Sequence, residues 1–589
     1  MHSKLQSHLD LQKDTDNIEE EGKYEEDENG NRLDPIKEEQ PDVLDDDEEV
    51  WSCEFCYHKN IINIEKEEIP TDEAVNYILE VDESKKNKSS SDVSNIFCLD
   101  VSGSMCVTTP VEGKVKIKGD RVNEMQDLMK FSDGSDQFFK EKRNVTYISR
   151  LQCVQAAIEA QIMDMSEKAP EKKVGLVTFS NDVNIHGDCS QVPQVVSGDK
   201  LNDYEYLRKN GMDVTDTHMK NSIVEAREKL TDKLYELQES GPTALGPALL
   251  TAISMAAQGS AGSSVTLCTD GLSNIGLGAI EGIKDSTEAT EFYLKVATFA
   301  NENGVTVNII SIVGEECDLE TLRVVAEKTG GDVQRVEADK LTENFANILK
   351  APIIATNVKM SVIIHKGLEF RNEEDDNLNK GKNVLTRDFG NVSADSEMTF
   401  EYKIKEIEEL QKAKDFDIAK LEQLPFQTQI EFTKLDGMKC IRVLTKVQQI
   451  SNDRNEVEEE ANAEILGINC VQQAARLARK GSFRHAQAYM KGQRKHWGEN
   501  KNEAINNEVR GNLHKMQDMY GMLQNQNNME EMYDSDSECD DDYEDNIELH
   551  SASGTSKKSK PVGSKQYKSK LSDSMSHNIH FLGRYNKKK

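Results

Sequence analysis

The sequence predicts an α/β protein: a doubly wound, mostly parallel sheet, then an antiparallel β-sandwich and a C-terminal helical region, with disordered tails. Short apolar runs alternate with amphipathic stretches over residues 94–350, the strand–helix–strand order of an open parallel sheet. Apolar and polar residues then alternate over 352–450, which is the period of half-buried strands. The spacing returns to that of amphipathic helices over 456–527.

The apolar runs within the first of these regions are rich in Val, Ile, Leu or Phe and suit strands buried on both faces. Strands are predicted at 95–99, 174–179, 264–268, 305–312 and 332–336. Helices are predicted at 247–257, 287–303 and 319–328, and along the stripe of Leu151, Val154, Ile158 and Ile162. Two polar segments, 106–148 and 188–240, are longer than ordinary loops, so we interpret them as insertions at the rim of the sheet. The second includes a charged helix predicted over 219–239.

The second half of the chain carries two different patterns. In 352–450, a Leu-Asp-Gly-Met turn between two alternating runs is typical of a β-hairpin. In 456–527, apolar residues from Ile465 to Leu477 share one helix face, and Gly481 separates this helix from the next. The sequence therefore predicts a sandwich followed by a helical hairpin.

The two ends of the chain have a different composition. Residues 1–50 carry 19 acidic and 5 basic side chains, and residues 528–589 begin acidic and end basic. Such segments contain too little apolar surface to offset the conformational entropy lost on ordering. We therefore predict that both tails are disordered.

The charge balance narrows the classes of partner and compartment. Across 589 residues, 72 basic and 107 acidic side chains give a formal net charge of −35. This field repels phosphate groups, so we expect no specific nucleic-acid partner. No stretch approaches the ~20 apolar residues of a transmembrane helix, and the first residues lack the apolar core of a secretory signal. We therefore expect a cytoplasmic protein whose eleven cysteines are reduced thiols.

Five oxygen-bearing side chains are predicted to meet at one edge of the parallel sheet. Asp100, Ser102 and Ser104 follow the first strand, Asp270 follows the third, and Thr243 lies just before a helix. Ligands of open parallel sheets bind at the carboxyl ends of the strands. Carboxylates and hydroxyls are hard donors that suit Mg²⁺ or Mn²⁺. Five such groups would leave one octahedral position for an external carboxylate.

These residues resemble the von Willebrand factor A domain and its metal-ion-dependent adhesion site. The Asp-x-Ser-x-Ser motif, the lone threonine and the Thr-Asp-Gly occur in the family's order, and the resemblance covers roughly 94–350. It implies a binding module whose protein ligand offers an Asp or Glu side chain. The long polar segments near the site depart from the compact family pattern.

Residues 51–93 are predicted to hold a half zinc ribbon and a linker. Trp51-Ser-Cys53-Glu-Phe-Cys56 is similar to the first half of the zinc ribbon in inner-coat (COPII-type) vesicle subunits, and so is the order of the domains that follow. A tetrahedral zinc site needs four ligands, yet the next cysteine, Cys98, lies in the first predicted strand. Cys53 and Cys56 are therefore candidate zinc ligands in a site that lacks metal or is completed by another chain, with His58 an alternative third ligand.

The chain lacks a Gly-x4-Gly-Lys-Ser/Thr phosphate loop, a His-Glu-x-x-His helix and a Gly-x-Ser-x-Gly elbow, so we do not expect an enzyme.

Two functional hypotheses remain open. The first hypothesis is a scaffold that binds an acidic side chain of a protein partner in a divalent-cation-dependent manner. The alternative is a structural coat or trafficking subunit in which the metal is incidental. Loss of partner binding in chelator would distinguish the first from the second.

Overall fold

The computed structural model describes most of the chain between its two ends. The described residues are 49–62, 70, 72–81, 92–112, 145–281, 287–314, 316–341, 353–394, 396–412, 421–451, 453, 457, 461–498, 521 and 572–583. Residues 1–48 of the predicted N-terminal tail lie outside them. So do residues 113–144 of the first predicted insertion and most of the helical region beyond residue 498.

The chain order of the elements is as follows. The strands are β1 Glu49–Ser52, β2 Lys59–Ile62, β3 Ala74–Val81, β4 Ser94–Asp100, β5 Thr108–Glu112, β6 Val145–Ser149, β7 Lys173–Phe179, β8 Val183–Gly187, β9 Gln194–Val196, β10 Ser264–Thr269, β11 Thr306–Ile312, β12 Val333–Val336, β13 Ile353–Ile364, β14 Leu368–Arg371, β15 Val384–Ser393, β16 Glu401–Ile404, β17 Gln423–Thr433 and β18 Met438–Gln449. The α-helices are α1 Arg150–Lys168, α2 Tyr204–His218, α3 Ile223–Glu236, α4 Leu245–Ala257, α5 Thr287–Glu302, α6 Leu319–Thr329, α7 Ile407–Lys412, α8 Ala463–Arg479, α9 Phe483–Gly498 and α10 Asp573–Gly583.

A seven-stranded sheet forms the first half of the protein, in the order β12-β11-β10-β4-β7-β8-β9. The five strands from β12 to β7 are parallel, and β8 and β9 extend one edge antiparallel. All seven residues of β4 are buried, as expected of a central strand covered on both faces. The predicted doubly wound, mostly parallel sheet is thereby confirmed.

Helices cover both faces of this sheet and form two separate apolar cores. Residues of α2, α4, α5 and α6 pack on one face, around Leu249, Tyr293 and Leu322. Residues of α1 and α3 pack on the other, around Ile158 and Leu230. The strands between these layers are held at fixed spacing, which fixes the relative positions of their carboxyl ends.

Residues 188–240, which we interpreted as a rim insertion, belong to the body of this domain. They supply edge strand β9 and helices α2 and α3. Leu207 of α2 and Leu230 of α3 are fully buried in opposite cores. The segment appears polar in sequence because each of these helices buries only one narrow stripe.

An antiparallel five-stranded sheet, in the order β15-β13-β17-β18-β3, packs against the two-stranded sheet β14-β16. The predicted β-sandwich is confirmed. Its edge strand β3 comes from the segment predicted as a linker, and it pairs with β18 from Ala74↔Leu444 to Val81↔Met438. The linker interpretation of residues 74–81 is wrong. These residues form a strand because they pair with β18, which comes after the whole parallel-sheet domain in the sequence.

Helices α8 and α9 form a hairpin that reverses at Gly481, whose φ of 72° places it in the left-handed region that favours glycine. Helix α10 completes their core, with Met575 and Ile579 buried against Val471 and Ala475. The prediction of disorder over 528–589 is therefore wrong for residues 572–583. None of the helices described is long and apolar enough to cross a membrane.

Candidate metal-binding and partner-binding site

Two buried carboxylates lie side by side at the carboxyl edge of the parallel sheet. Asp100 is the last residue of β4, and Asp270 directly follows β10. These two strands are adjacent and parallel, with Leu99 paired to Cys268, so their ends arrive at the same place. Both aspartates are completely buried. The sheet register therefore brings together two residues that are far apart in sequence.

The Asp100 carboxylate accepts two hydrogen bonds that orient it. Its Oδ1 accepts from the Ser102 backbone N–H at 2.8 Å, and its Oδ2 accepts from the Thr269 hydroxyl at 2.6 Å. Burial raises the pKa of Asp100 to about 6, and the nearby charge of Asp270 adds to this, although the hydrogen bonds from Ser102 and Thr269 act in the opposite direction. A cation at this position would offset the cost of holding two carboxylates together in a low-dielectric environment.

Ser102 and Ser104 connect the two carboxylates. Their hydroxyl oxygens lie 3.1 Å apart, and the Ser104 hydroxyl donates to Asp270 Oδ1 at 2.6 Å. Residues Gly103–Cys106 form a short 3₁₀ turn, which lets both serines face the carboxylates directly after the strand ends. We call Asp100, Ser102, Ser104 and Asp270 the strand-end cluster.

Thr243 lies in a loop that is attached to this cluster through the backbone. The Gly103 N–H donates to the Gly241 carbonyl at 2.9 Å. The Thr243 N–H donates to Asn274 Oδ1 at 2.7 Å, and the Asn274 N–H donates back to the Thr243 carbonyl at 3.0 Å. The N-cap of α4 is Ala244, so Thr243 does not act as the helix cap. Its hydroxyl is thus not needed to start the helix.

Arg150 is a member of the site that the sequence analysis missed. As the first residue of α1, it donates from Nη1 to Asp270 Oδ2 at 2.7 Å. A cation at a helix N-terminus is disfavoured by the helix dipole, and a buried one needs an opposite charge. No signal near Arg150 in the sequence points to this partner, because Asp270 is 120 residues away along the chain.

The donor chemistry of the cluster fits a hard divalent cation. Two carboxylates and neighbouring hydroxyls are the oxygen ligands that Mg²⁺ and Mn²⁺ prefer. Among the residues described, no group of three or more His, Cys, Asp or Glu side chains is arranged to hold a metal. A metal here would therefore depend on serine and threonine hydroxyls as well as the two aspartates.

The candidate zinc ligands are brought together by the β1–β2 hairpin. The Cys53 N–H donates to the His58 carbonyl at 2.8 Å, and the Tyr57 N–H donates to the Cys53 carbonyl at 2.8 Å. A hydrogen bond with Cys53, together with burial, raises the pKa of the Cys56 thiol. The fold does not add the Cys98 thiol, which is buried within the central sheet on β4. The hairpin thus supplies two sulfur ligands of the four that zinc requires.

The doubly wound sheet, with oxygen donors at the carboxyl ends of its central strands, resembles the von Willebrand factor A-type fold. More particularly, residues 145–351 match the family described as the Sec23/Sec24 trunk domain. The predicted resemblance to A-type domains and to inner-coat subunits is thereby confirmed.

Similar proteins extend over more of the chain. A protein of Dictyostelium discoideum named circularly permutated Ras protein 1 is 35% identical over 455 residues, which is 76% of this chain and 50% of that protein. The chain therefore spans about half the length of this curated relative. Among solved structures, human COPII-coat protein Sec24c is similar with a TM-score of 0.45 and 15% identity. The matched region covers 75% of this chain and 57% of the Sec24c chain. A von Willebrand factor type A protein from Catenulispora acidiphila has a TM-score of 0.38 at 14% identity, with 73% and 82% covered.

Proposed function

We propose that the protein is a non-enzymatic, cytosolic interaction module that captures an acidic side chain of a protein partner through Mg²⁺ or Mn²⁺ held at the strand-end cluster. The observation that supports this most is that two buried aspartates and two serine hydroxyls lie together at the ends of adjacent strands. The hydrogen bond of 2.6 Å from the Ser104 hydroxyl to Asp270 joins the two strand ends. A bound divalent cation would supply a coordination position for an external carboxylate.

In this proposal the residues of the site have different roles in holding the cation. Asp100 and Asp270 supply negative charge, and burial keeps that charge unscreened by water. Ser102 and Ser104 supply neutral oxygens, and Thr243 supplies one from the opposite loop. The hydrogen bond from the Gly103 N–H to the Gly241 carbonyl joins the two loops. An acidic partner suits this arrangement because its carboxylate balances charge as well as supplying an oxygen.

Chelation tests the proposal. The immobilised protein is expected to retain its partner from cell lysate in Mg²⁺, release it in EDTA and retain it again when excess Mg²⁺ is restored. Asp100→Asn, which keeps the side chain's size but removes its charge, should show no retention in any buffer. Ser254→Ala removes a buried hydroxyl that donates within α4 to the Leu250 carbonyl, so it serves as the control and should behave like wild type. Retention that is unchanged by EDTA and by Asp100→Asn would contradict the proposal.

A second candidate function is that of a structural coat or trafficking subunit in which the metal is incidental. The match of residues 145–351 to the Sec23/Sec24 trunk domain favours this function. The antiparallel sandwich that β3 completes also favours it, because the order of the domains is similar to that of inner-coat subunits. In that case, association with the partner would persist in EDTA. The same association would be lost when an assembly surface away from the strand-end cluster is altered.

Thr243→Ala should leave the EDTA-treated protein nearly as stable as wild type, within about 1 kcal/mol. No helix cap is lost, because Ala244 occupies the N-cap position. In Mg²⁺, however, the loss of an oxygen donor should weaken partner retention several-fold. Melting curves in EDTA and retention in Mg²⁺ measure the two effects separately.

The matched control for this variant is Thr251→Ala, which removes a buried hydroxyl that donates to the Pro247 carbonyl in the following helix. It should lower stability equally in both buffers and leave retention unchanged. If Thr243→Ala behaved in the same way, Thr243 would have a structural role alone.

A further inference from the structure

Arg150 occupies a buried position where a positive charge is destabilising unless a negative charge lies beside it. Its side chain is 8% exposed, and that of Asp270 is fully buried. The guanidinium Nη1 lies 2.7 Å from Asp270 Oδ2, which is the length of a charge-assisted hydrogen bond. The strand-end cluster is therefore already paired, through Asp270, with a cation that belongs to the protein itself.

The fold leaves room for this guanidinium by placing a glycine beside it. Gly314 follows β11, the strand next to β10 on the side away from β4. A Cβ atom at Gly314 would lie 1.8 Å from Arg150 Nη2 and 2.4 Å from its Cζ. Any side chain at position 314 would thus move the guanidinium from its present place. The internal cation is held between the carboxyl ends of two adjacent strands.

Arg150 and Ser104 occupy the two oxygens of Asp270 in chemically different ways. The Ser104 hydroxyl donates to Oδ1, but it can rotate its hydrogen away and present a lone pair instead. The guanidinium carries only donors and offers no lone pair to a metal ion. Ser104 can therefore change from donor to ligand when a cation arrives, whereas Arg150 must either move or remain as a repelling charge.

We propose that Arg150 is an internal cation that competes with the divalent ion for Asp270 and so sets the Mg²⁺ affinity of the strand-end cluster. The inference rests on the proposed function, since it concerns the same site. As a consequence of this competition, the strand-end cluster has weak affinity for Mg²⁺ alone. An acidic partner then strengthens the binding of Mg²⁺, because the partner's carboxylate supplies negative charge in place of the charge that Arg150 neutralises on Asp270.

Calorimetric titration of the full chain with MgCl₂, in the absence of any partner, tests this. Arg150→Gln keeps hydrogen-bond donors but removes the charge, and it should lower the dissociation constant for Mg²⁺ at least tenfold. Arg150→Lys keeps the charge and should stay within about threefold of wild type. Gly314→Ala displaces the guanidinium without altering Arg150, and it should shift the constant in the same direction as Arg150→Gln. Melting curves in EDTA verify that each variant is folded.

The outcomes separate this inference from the proposed function. Equal Mg²⁺ affinity in wild type and in Arg150→Gln, or weaker affinity in the variant, would overturn the role of Arg150 while leaving a metal site in place. Absence of Mg²⁺ and Mn²⁺ binding by every folded variant would overturn the proposed function and the inference with it. If Arg150→Gln did not fold, the Gly314→Ala titration alone would decide, since it retains the arginine.

Discussion

Asp100→Ala is expected to abolish Mg²⁺ binding and with it all Mg²⁺-dependent stabilisation of the protein. A ligand that binds only the folded state stabilises it by about 2.7 kcal/mol at one hundred times its dissociation constant. Wild type should therefore melt at a higher temperature in saturating Mg²⁺ than in EDTA, and Asp100→Ala should melt at the same temperature in both. Asp270→Ala should behave in the same way. Differential scanning calorimetry in the two buffers provides the measurement.

In EDTA, the same substitution has a separate effect that must be measured on its own. The Asp100 carboxylate accepts from the Ser102 N–H and the Thr269 hydroxyl, and alanine leaves both buried donors without that acceptor. A buried donor left unsatisfied costs about 1–3 kcal/mol, although removal of a buried carboxylate offsets part of it. Ser102→Ala should lose less of the Mg²⁺-dependent shift, because a neutral oxygen contributes less than a carboxylate. An identical Mg²⁺-dependent shift in wild type and Asp100→Ala would show that the aspartate is not a ligand.

Asp573→Ala is expected to release the C-terminal helix α10 from the body of the protein. The Asp573 carboxylate is fully buried and accepts from the Cys317 N–H at 2.5 Å and the Leu319 N–H at 2.6 Å. These amides stand at the start of α6, where a negative charge also interacts favourably with the helix dipole. Hydrogen bonds to a charged group contribute about 1.5–3 kcal/mol each. Loss of both should weaken docking by several kcal/mol.

Limited proteolysis and hydrogen exchange of the full chain measure that release. In wild type, residues 572–583 should resist cleavage while α10 stays docked, and in Asp573→Ala they should be cleaved early. Ser574→Ala changes an exposed residue of the same helix and is the matched control. Equal protection of α10 in Asp573→Ala and in the control would show that Met575 and Ile579 hold the helix without the carboxylate.

Much of the candidate site could be predicted from sequence because its members follow local signals. Asp100 and Asp270 each come at the end of a short apolar run, and parallel strands necessarily bring their carboxyl ends to one edge. The strand predicted at 95–99 corresponds to β4, which spans Ser94–Asp100. A rule about the sheet edge was therefore enough to place both carboxylates near each other.

Arg150 required the tertiary structure because nothing near it in sequence explains its charge. Its partner Asp270 is 120 residues away, and the space for its guanidinium depends on Gly314 at the end of a third strand. The role of Thr243 was equally undecided. A threonine before a helix is ordinarily a cap, and only the position of Ala244 at the N-cap separates the two roles.

The parallel sheet, the antiparallel sandwich and the strand-end positions of the oxygen donors could be predicted from sequence, since hydrophobic period and the order of elements along the chain are local properties. The pairing of β3 with the sandwich and the docking of α10 against α6 required the tertiary structure, because their partners are far along the chain. Asp573 and Cys317 are 256 residues apart. Such a short helix buries too few apolar side chains to be recognised alone, and it is stable because a distant part of the chain supplies the donors and the apolar surface that it lacks.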